Sequence, residues 1–177
     1  MKKILLFAAA MLFTIQTYAQ KTDFGVTAGY LNINAAATSG IYDESENASG
    51  FYVGFLADIP LSEAFYLQPS VNYGNAEEAN LLSIPVVVKY YIANSGFNVL
   101  AGPQANIILD ERPGSVKALG IDLGFGAGYD INENFFLQAK YFLELTNRFK
   151  DDIMGLPEGV EFEYNVNTLF IGVGYKF

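Results

Sequence analysis

Through most of this chain apolar and polar residues alternate with a period of two, and the glycines fall on the polar side of the alternation. A period of two marks a β-strand whose two faces meet unlike surroundings. In the segment that ends the chain, Leu169, Ile171, Val173, Tyr175 and Phe177 share one face, while Thr168, Phe170, Gly172, Gly174 and Lys176 share the other. Ile121, Leu123, Phe125, Ala127 and Tyr129 oppose Asp122, Gly124, Gly126, Gly128 and Asp130 in the same way. Phe65, Leu67, Pro69, Val71 and Tyr73 oppose Tyr66, Gln68, Ser70, Asn72 and Gly74, and Leu82, Ile84, Val86, Val88 and Tyr90 oppose Ser83, Pro85 and Lys89. Ten strand glycines lie on the polar face: Gly25, Gly29, Gly54, Gly74, Gly102, Gly124, Gly126, Gly128, Gly172 and Gly174. Glycine weakens a strand unless something needs the space. Space is scarce where inward side chains of a narrow barrel converge on one axis, and glycine there leaves room for Tyr52, Tyr66, Phe142 and Phe170. The polar, glycine-rich face therefore points inward and the apolar face outward, toward lipid. A soluble barrel would be built the other way round.

Eight segments carry the pattern, at about 22–33, 50–60, 65–75, 81–91, 97–109, 120–130, 135–145 and 166–177. Each is close to the roughly 9–11 residues that a tilted membrane strand needs. The expected fold is all-β: an eight-stranded antiparallel up-and-down transmembrane β-barrel, forming one domain over residues 20–177. The connections 61–64, 92–96 and 131–134 are short, 34–49, 110–119 and 146–165 are long, and 76–80 is intermediate. Short turns at one end and long loops at the other are the periplasmic and extracellular ends of an outer-membrane barrel. Tyr30, Tyr73, Tyr90, Tyr91, Tyr129 and Tyr175 lie near strand ends, where interfacial aromatic girdles belong.

The first residues are of another kind. Met1-Lys2-Lys3 is basic, Ile4 to Phe13 is an apolar run of ten, and Thr17-Tyr18-Ala19 places small residues where a signal peptidase reads them. Residues 1–19 are expected to be a signal peptide cleaved after Ala19, since the apolar run is far short of the roughly 20 residues of a spanning helix. The net charge of −9 becomes −11 once Lys2 and Lys3 leave. That acidity argues against a nucleic-acid partner, whose phosphates require basic patches.

The chain contains neither His nor Cys. Disulfides and a lipid-modified N-terminal Cys are excluded. So is hydrolysis by a Ser-His or Asp-His pair, and no enzymatic activity is expected. No cofactor or resident metal is expected either; oxygen ligands alone would suit Ca²⁺ or Mg²⁺. Acidic clusters in the loops (Asp43-Glu44-Ser45-Glu46, Glu77-Glu78, Asp110-Glu111, Asp151-Asp152, and Glu158, Glu161 and Glu163) lack EF-hand spacing. They read first as solvated loop faces, and second as cation-bridged contacts with anionic lipopolysaccharide or a partner. Gly124-Phe125-Gly126-Ala127-Gly128 lacks the helix and the Lys-Ser/Thr of a phosphate loop.

The order of short motifs resembles the small outer-membrane β-barrel proteins of Bacteroidota known as "porin family" or PorT-like. The resemblance runs through Phe24-Gly25-Val26-Thr27-Ala28-Gly29, Asp58-Ile59-Pro60-Leu61-Ser62 and Phe65-Tyr66-Leu67-Gln68-Pro69. It continues in Ser83-Ile84-Pro85-Val86-Val87-Val88-Lys89-Tyr90-Tyr91, Leu100-Ala101-Gly102-Pro103 and Gly174-Tyr175-Lys176-Phe177. Where the family has an acidic-aliphatic-basic strand before the last loop, this chain has Gln138-Ala139-Lys140. The resemblance implies fold and location and leaves the substrate open. The chain's end also resembles the signal read by the barrel-assembly machinery, carried by Leu169, Ile171, Val173, Tyr175 and Phe177.

Asp58, Lys89, Asp122, Lys140 and Glu144 fall on the inward face. They are expected to form a polar network filling the lumen, with Lys140 one diagonal step from Asp122 and with Asp58 and Lys89 near the periplasmic rim. The other reading is a narrow conduction path lined by these charges. Three functions stand open: a non-enzymatic structural or surface-interaction barrel in contact with outer-membrane lipid and lipopolysaccharide, a small channel, and a secreted lipocalin-like binder, which would need its apolar face inside.

Overall fold

The computed structural model describes residues 22–39, 42–77, 79–93, 95–111, 116–148 and 162–177; the expected signal peptide lies outside them. Eight strands follow in chain order: β1 (Asp23–Ser39), β2 (Tyr42–Pro60), β3 (Phe65–Ala76), β4 (Ala79–Tyr91), β5 (Phe97–Ile108), β6 (Leu119–Asp130), β7 (Phe135–Glu144) and β8 (Phe162–Lys176). Each pairs antiparallel with the next, and β1 pairs with β8, so the sheet closes into an up-and-down barrel with no free edge. Closure lets every strand satisfy its backbone groups without water, which a spanning sheet requires.

The faces settle which way the pattern points. Phe125, Leu123 and Val173 are 60, 53 and 47 % exposed on the outer wall, whereas Asp122 and Lys140 are 0 and 2 % exposed inside. A continuous apolar outer wall of this size is far beyond what a soluble monomer tolerates. The lipocalin-like alternative, which needs the apolar face inward, is overturned. Glycine makes the interior possible. A Cβ on Gly124 would run into the Phe142 ring, and one on Gly174 into the Phe136 ring.

At the end bearing the short turns, outward aromatics stack across neighbouring strands. Phe65 pairs with Tyr90, Phe97 with Tyr129 and Phe135 with Tyr175, at ring-centroid separations of 4.8, 4.5 and 5.0 Å. These three pairs form one girdle. Tyr91, expected in it, instead turns its hydroxyl inward to Asp130.

Two expected loops are largely strand. In the stretch read as a long loop, 34–49, residues 34–39 and 42–49 continue β1 and β2 as paired strands, with Asn34 opposite Asn47 and Ser39 opposite Tyr42. The β8 backbone follows β1 as far as Phe162 opposite Ser39. Beyond the apolar band both faces of a ribbon meet water, so the alternation that marks a membrane strand fades although the ladder continues. Residues 76–80 contract to a tight β3–β4 hairpin, in which Glu77 takes the left-handed backbone (φ 53°) that such turns demand.

Candidate functional site

The inward side chains form three zones between the two ends. Near the short turns lies a four-charge cluster. Lys89 Nζ donates to Asp58 Oδ2 at 2.9 Å and stands 3.8 Å from Asp130 Oδ1. Lys176 Nζ donates to Asp130 Oδ2 at 2.7 Å and stands 3.9 Å from Asp58 Oδ2. Gln68 donates to the other Asp58 oxygen at 2.8 Å, and the Tyr91 hydroxyl donates to Asp130 at 2.7 Å. The Lys89 ammonium also lies 4.9 Å from the Tyr91 ring centre and 5.8 Å from that of Phe136. The alternating charges and the hydrogen bonds to spare lone pairs are what buried ions need to offset desolvation. The cluster draws on β2, β3, β4, β6, β7 and β8, so it fastens the barrel across its axis.

Near the long loops a second network is built on Asp122 and Glu144, which the ladder places opposite each other. Asp122 Oδ2 accepts from Gln104 at 2.7 Å and Asn106 at 2.6 Å, and Gln104 also reaches Thr168 at 3.2 Å. Glu144 accepts from the Val166 backbone N–H at 2.5 Å, from Thr146 at 2.9 Å and from Arg148 Nε at 2.6 Å. The remaining Arg148 nitrogens donate to the Ala118 carbonyl at 3.0 Å and to Asn106 Oδ1. Arg148 is fully buried. It stands just past β7, where the chain continues between the β6 and β8 sides of the wall, held by Lys117 N to Arg148 O at 2.8 Å and Arg148 N to Tyr164 O at 3.1 Å. The first residues of the expected loop 146–165 thus continue the barrel wall and send the Arg148 side chain inward, while 149–161 lie outside the described residues.

Between the networks are Lys140 and an apolar cluster that includes Leu31, Tyr52, Val87, Leu100, Phe142 and Phe170. The Tyr52 ring meets Phe170 edge-on at 5.1 Å. The diagonal contact expected between Lys140 and Asp122 does not form. The β6–β7 register sets Asp122 against Glu144 and Lys140 against Gly126, two steps apart rather than one. Among the described residues no carboxylate lies within ion-pair distance of Lys140. Asp122 Oδ1, Gln104 Oε1, Ser70 Oγ and the Asn72 amide likewise lack a protein partner.

Of the five lumen residues singled out in the sequence, the structure joins Asp58 to Lys89, faces Asp122 with Glu144 and leaves Lys140 apart. It adds Asp130, Lys176, Arg148, Gln104 and Asn106. Asp130 and Lys176 already stood on the polar face near short turns, as Asp58 and Lys89 do, and that shared height was the available signal. Arg148 lies beyond the alternating stretch and carried none. Of the terminal aromatic motif, Ile171, Val173, Tyr175 and Phe177 are exposed on the outer wall and Leu169 is half-buried there.

A closed barrel with lipid-type outer wall, aromatic girdle and ion-filled lumen has a counterpart among family models: that of the outer membrane protein beta-barrel domain matches residues 5–177. The chain belongs to this family. Family membership places it in the bacterial outer membrane. Its backbone is similar to the outer membrane enzyme PagL, with 14 % identity over 83 % of this chain and 98 % of that one and a TM-score of 0.51. It is also similar to Ail, the attachment invasion locus protein of Yersinia pestis, with 15 % identity over 89 % of this chain and 99 % of that one and a TM-score of 0.50. At such identities the likeness concerns the fold alone. The sequence matches none of the curated proteins with which it was compared.

Proposed function

We propose that this protein is a non-enzymatic outer-membrane barrel whose lumen is a plug and whose loop end is a surface-interaction platform. The reading rests on one observation: ionic networks fill the lumen toward both ends, through Asp58, Lys89, Asp130 and Lys176 at the turn end and through Glu144, Arg148, Asn106 and Asp122 at the loop end. Interiors of eight-stranded barrels are just wide enough for side chains, and here those side chains are locked to each other. The absence of His removes the base of a Ser-His or Asp-His pair, and the absence of Cys removes a thiol nucleophile. The β1–β2 hairpin exceeds the roughly 9–11 residues needed to span a bilayer and carries Asn34, Ser45, Glu46 and Asn47 toward the outside. In the same reading residues 1–19 are removed on export, the motif Leu169, Ile171, Val173, Tyr175 and Phe177 is read by the barrel-assembly machinery, and the acidic loops meet lipopolysaccharide. The lineage is the PorT-like group of Bacteroidota.

Because the chain has no cysteine, one introduced thiol tests the orientation. Ser45→Cys should react with a membrane-impermeant maleimide on intact cells, and Ser62→Cys only after the outer membrane is opened. The reverse labelling would reject the platform. A small channel is the second reading, favoured by Lys140 and the unpartnered polar atoms of Asp122, Gln104, Ser70 and Asn72. Planar-bilayer recording separates the two: the plug predicts silence, while unitary currents altered by Lys140→Ala establish the channel.

A further inference from the structure

The loop end of the barrel contains a cavity of about 920 Å³ lined by none of the charged side chains of the two ionic networks. That volume lies within the ~300–1,000 Å³ of small-molecule sites. Its floor is the top of the interior apolar cluster, formed by Ile33, Leu81 and Val166. Its walls are widened by alanines, among them Ala48 and Ala79, placed where β2 and β4 reach the opening. Four residues lining it are acidic (Glu46, Glu77, Asp110 and Glu111), and no lysine or arginine lines it among the described residues. Glu46, Glu77 and Glu111 are exposed, and Asp110 is anchored by the backbone N–H and side-chain amide of Asn80. The buried Arg148 is committed to Glu144 and Asn106.

We infer that this cavity is a binding site for a small amphiphilic cation, a compact apolar or aromatic body carrying an ammonium group. Apolar walls around a single sign of charge focus the field and raise the local concentration of counter-charged solute. An apolar body buried on Ile33, Leu81 and Val166 leaves its ammonium at the level of the carboxylates. An anion of the same shape meets four like charges, and a polyamine without an apolar body leaves the floor uncovered. The site is a property of the barrel's own geometry. The orientation proposed above decides only from which side the ligand arrives, so labelling on cells and binding to purified protein fail independently.

The test uses the folded full-length barrel in lipid nanodiscs, titrated calorimetrically with 4-phenylbutylamine, 4-phenylbutanol and 4-phenylbutyrate, with empty nanodiscs as the blank for partition into lipid. The amine should bind about tenfold more tightly than the alcohol, and the carboxylate should not bind. Ala48→Phe and Ala79→Phe, which fill the cavity, should each abolish binding while the folded gel band is kept. Glu46→Gln with Glu77→Gln should weaken the amine about tenfold and leave the alcohol unchanged. Equal affinity for all three compounds, or amine binding that survives both filling variants, would overturn the assignment; so would no binding of the amine above the blank.

Discussion

Replacing Lys89 by Met keeps the aliphatic stem and removes only the ammonium at the centre of the turn-end cluster. At an effective dielectric of about 20, Coulomb's law gives about 6 kcal/mol for the 2.9 Å contact with Asp58 and about 4 kcal/mol for the 3.8 Å approach to Asp130. Most of that is offset, because the ammonium no longer has to be stripped of water. What remains is an Asp58 carboxylate, 1 % exposed, whose one remaining ion partner among the described residues is Lys176 at 3.9 Å. Breaking a buried pair from one side costs about 3–5 kcal/mol, and the residual Lys176 contact points to the lower part of that range. Lys89→Met with Asp58→Asn should recover most of the loss, since an amide oxygen still accepts from Gln68 and no carboxylate is stranded. The measurement is urea unfolding in lipid vesicles, followed by tyrosine fluorescence (the chain has no Trp) and by the heat-dependent gel shift of folded barrels. A single variant costing less than about 1 kcal/mol, or a double variant as unstable as the single, would refute the cluster as a coupled unit.

Other perturbations address the outer wall, the packing and the loop end. Val86→Arg on the lipid face of β4 should cost about 2–4 kcal/mol near the bilayer midplane and slow assembly; an equilibrium unfolding midpoint unchanged from wild type would contradict the outward assignment. Gly124→Val should lose about 1–3 kcal/mol by overpacking against the Phe142 ring, and Phe142→Ala in the same chain should relieve part of it, again read by urea unfolding. The hydrogen bonds that Asn80 gives to Asp110 hold this loop carboxyl below the usual carboxylate range. Its contribution to stability is therefore present above the ordinary carboxylate pKa and is lost as pH falls through the lowered value. Carbon-detected NMR titration should show Asp110 titrating low, and Asn80→Ala, which removes the amide and keeps the backbone N–H, should raise it part of the way toward the normal range.

Strand number, the inward or outward sense of most strand residues (Tyr91 excepted) and the places where glycine makes room were legible in the linear order of residues. Each depends on a two-residue period and on one strong contrast, lipid on one face and a crowded axis on the other. Leu169 to Phe177, and Asp122 to Asp130 opposite Ile121 to Tyr129, needed no knowledge of neighbours. The three-dimensional arrangement alone decided what meets what. Asp122 faces Glu144 rather than lying diagonal to Lys140 because register is set by the hairpin's hydrogen-bond ladder, and a shift of one residue pair moves every contact along it. Asp130 meets Lys89 and Lys176 across strands that are not adjacent, which depends on how far the sheet is sheared before it closes. Arg148 meets Glu144 because backbone hydrogen bonds to Lys117 and Tyr164 hold the chain past β7 with this side chain turned inward. The extension of β1 through Ser39 and of β2 back to Tyr42 was hidden for a different reason: outside the bilayer both faces of a strand see water, and the contrast that writes the period into the sequence is gone.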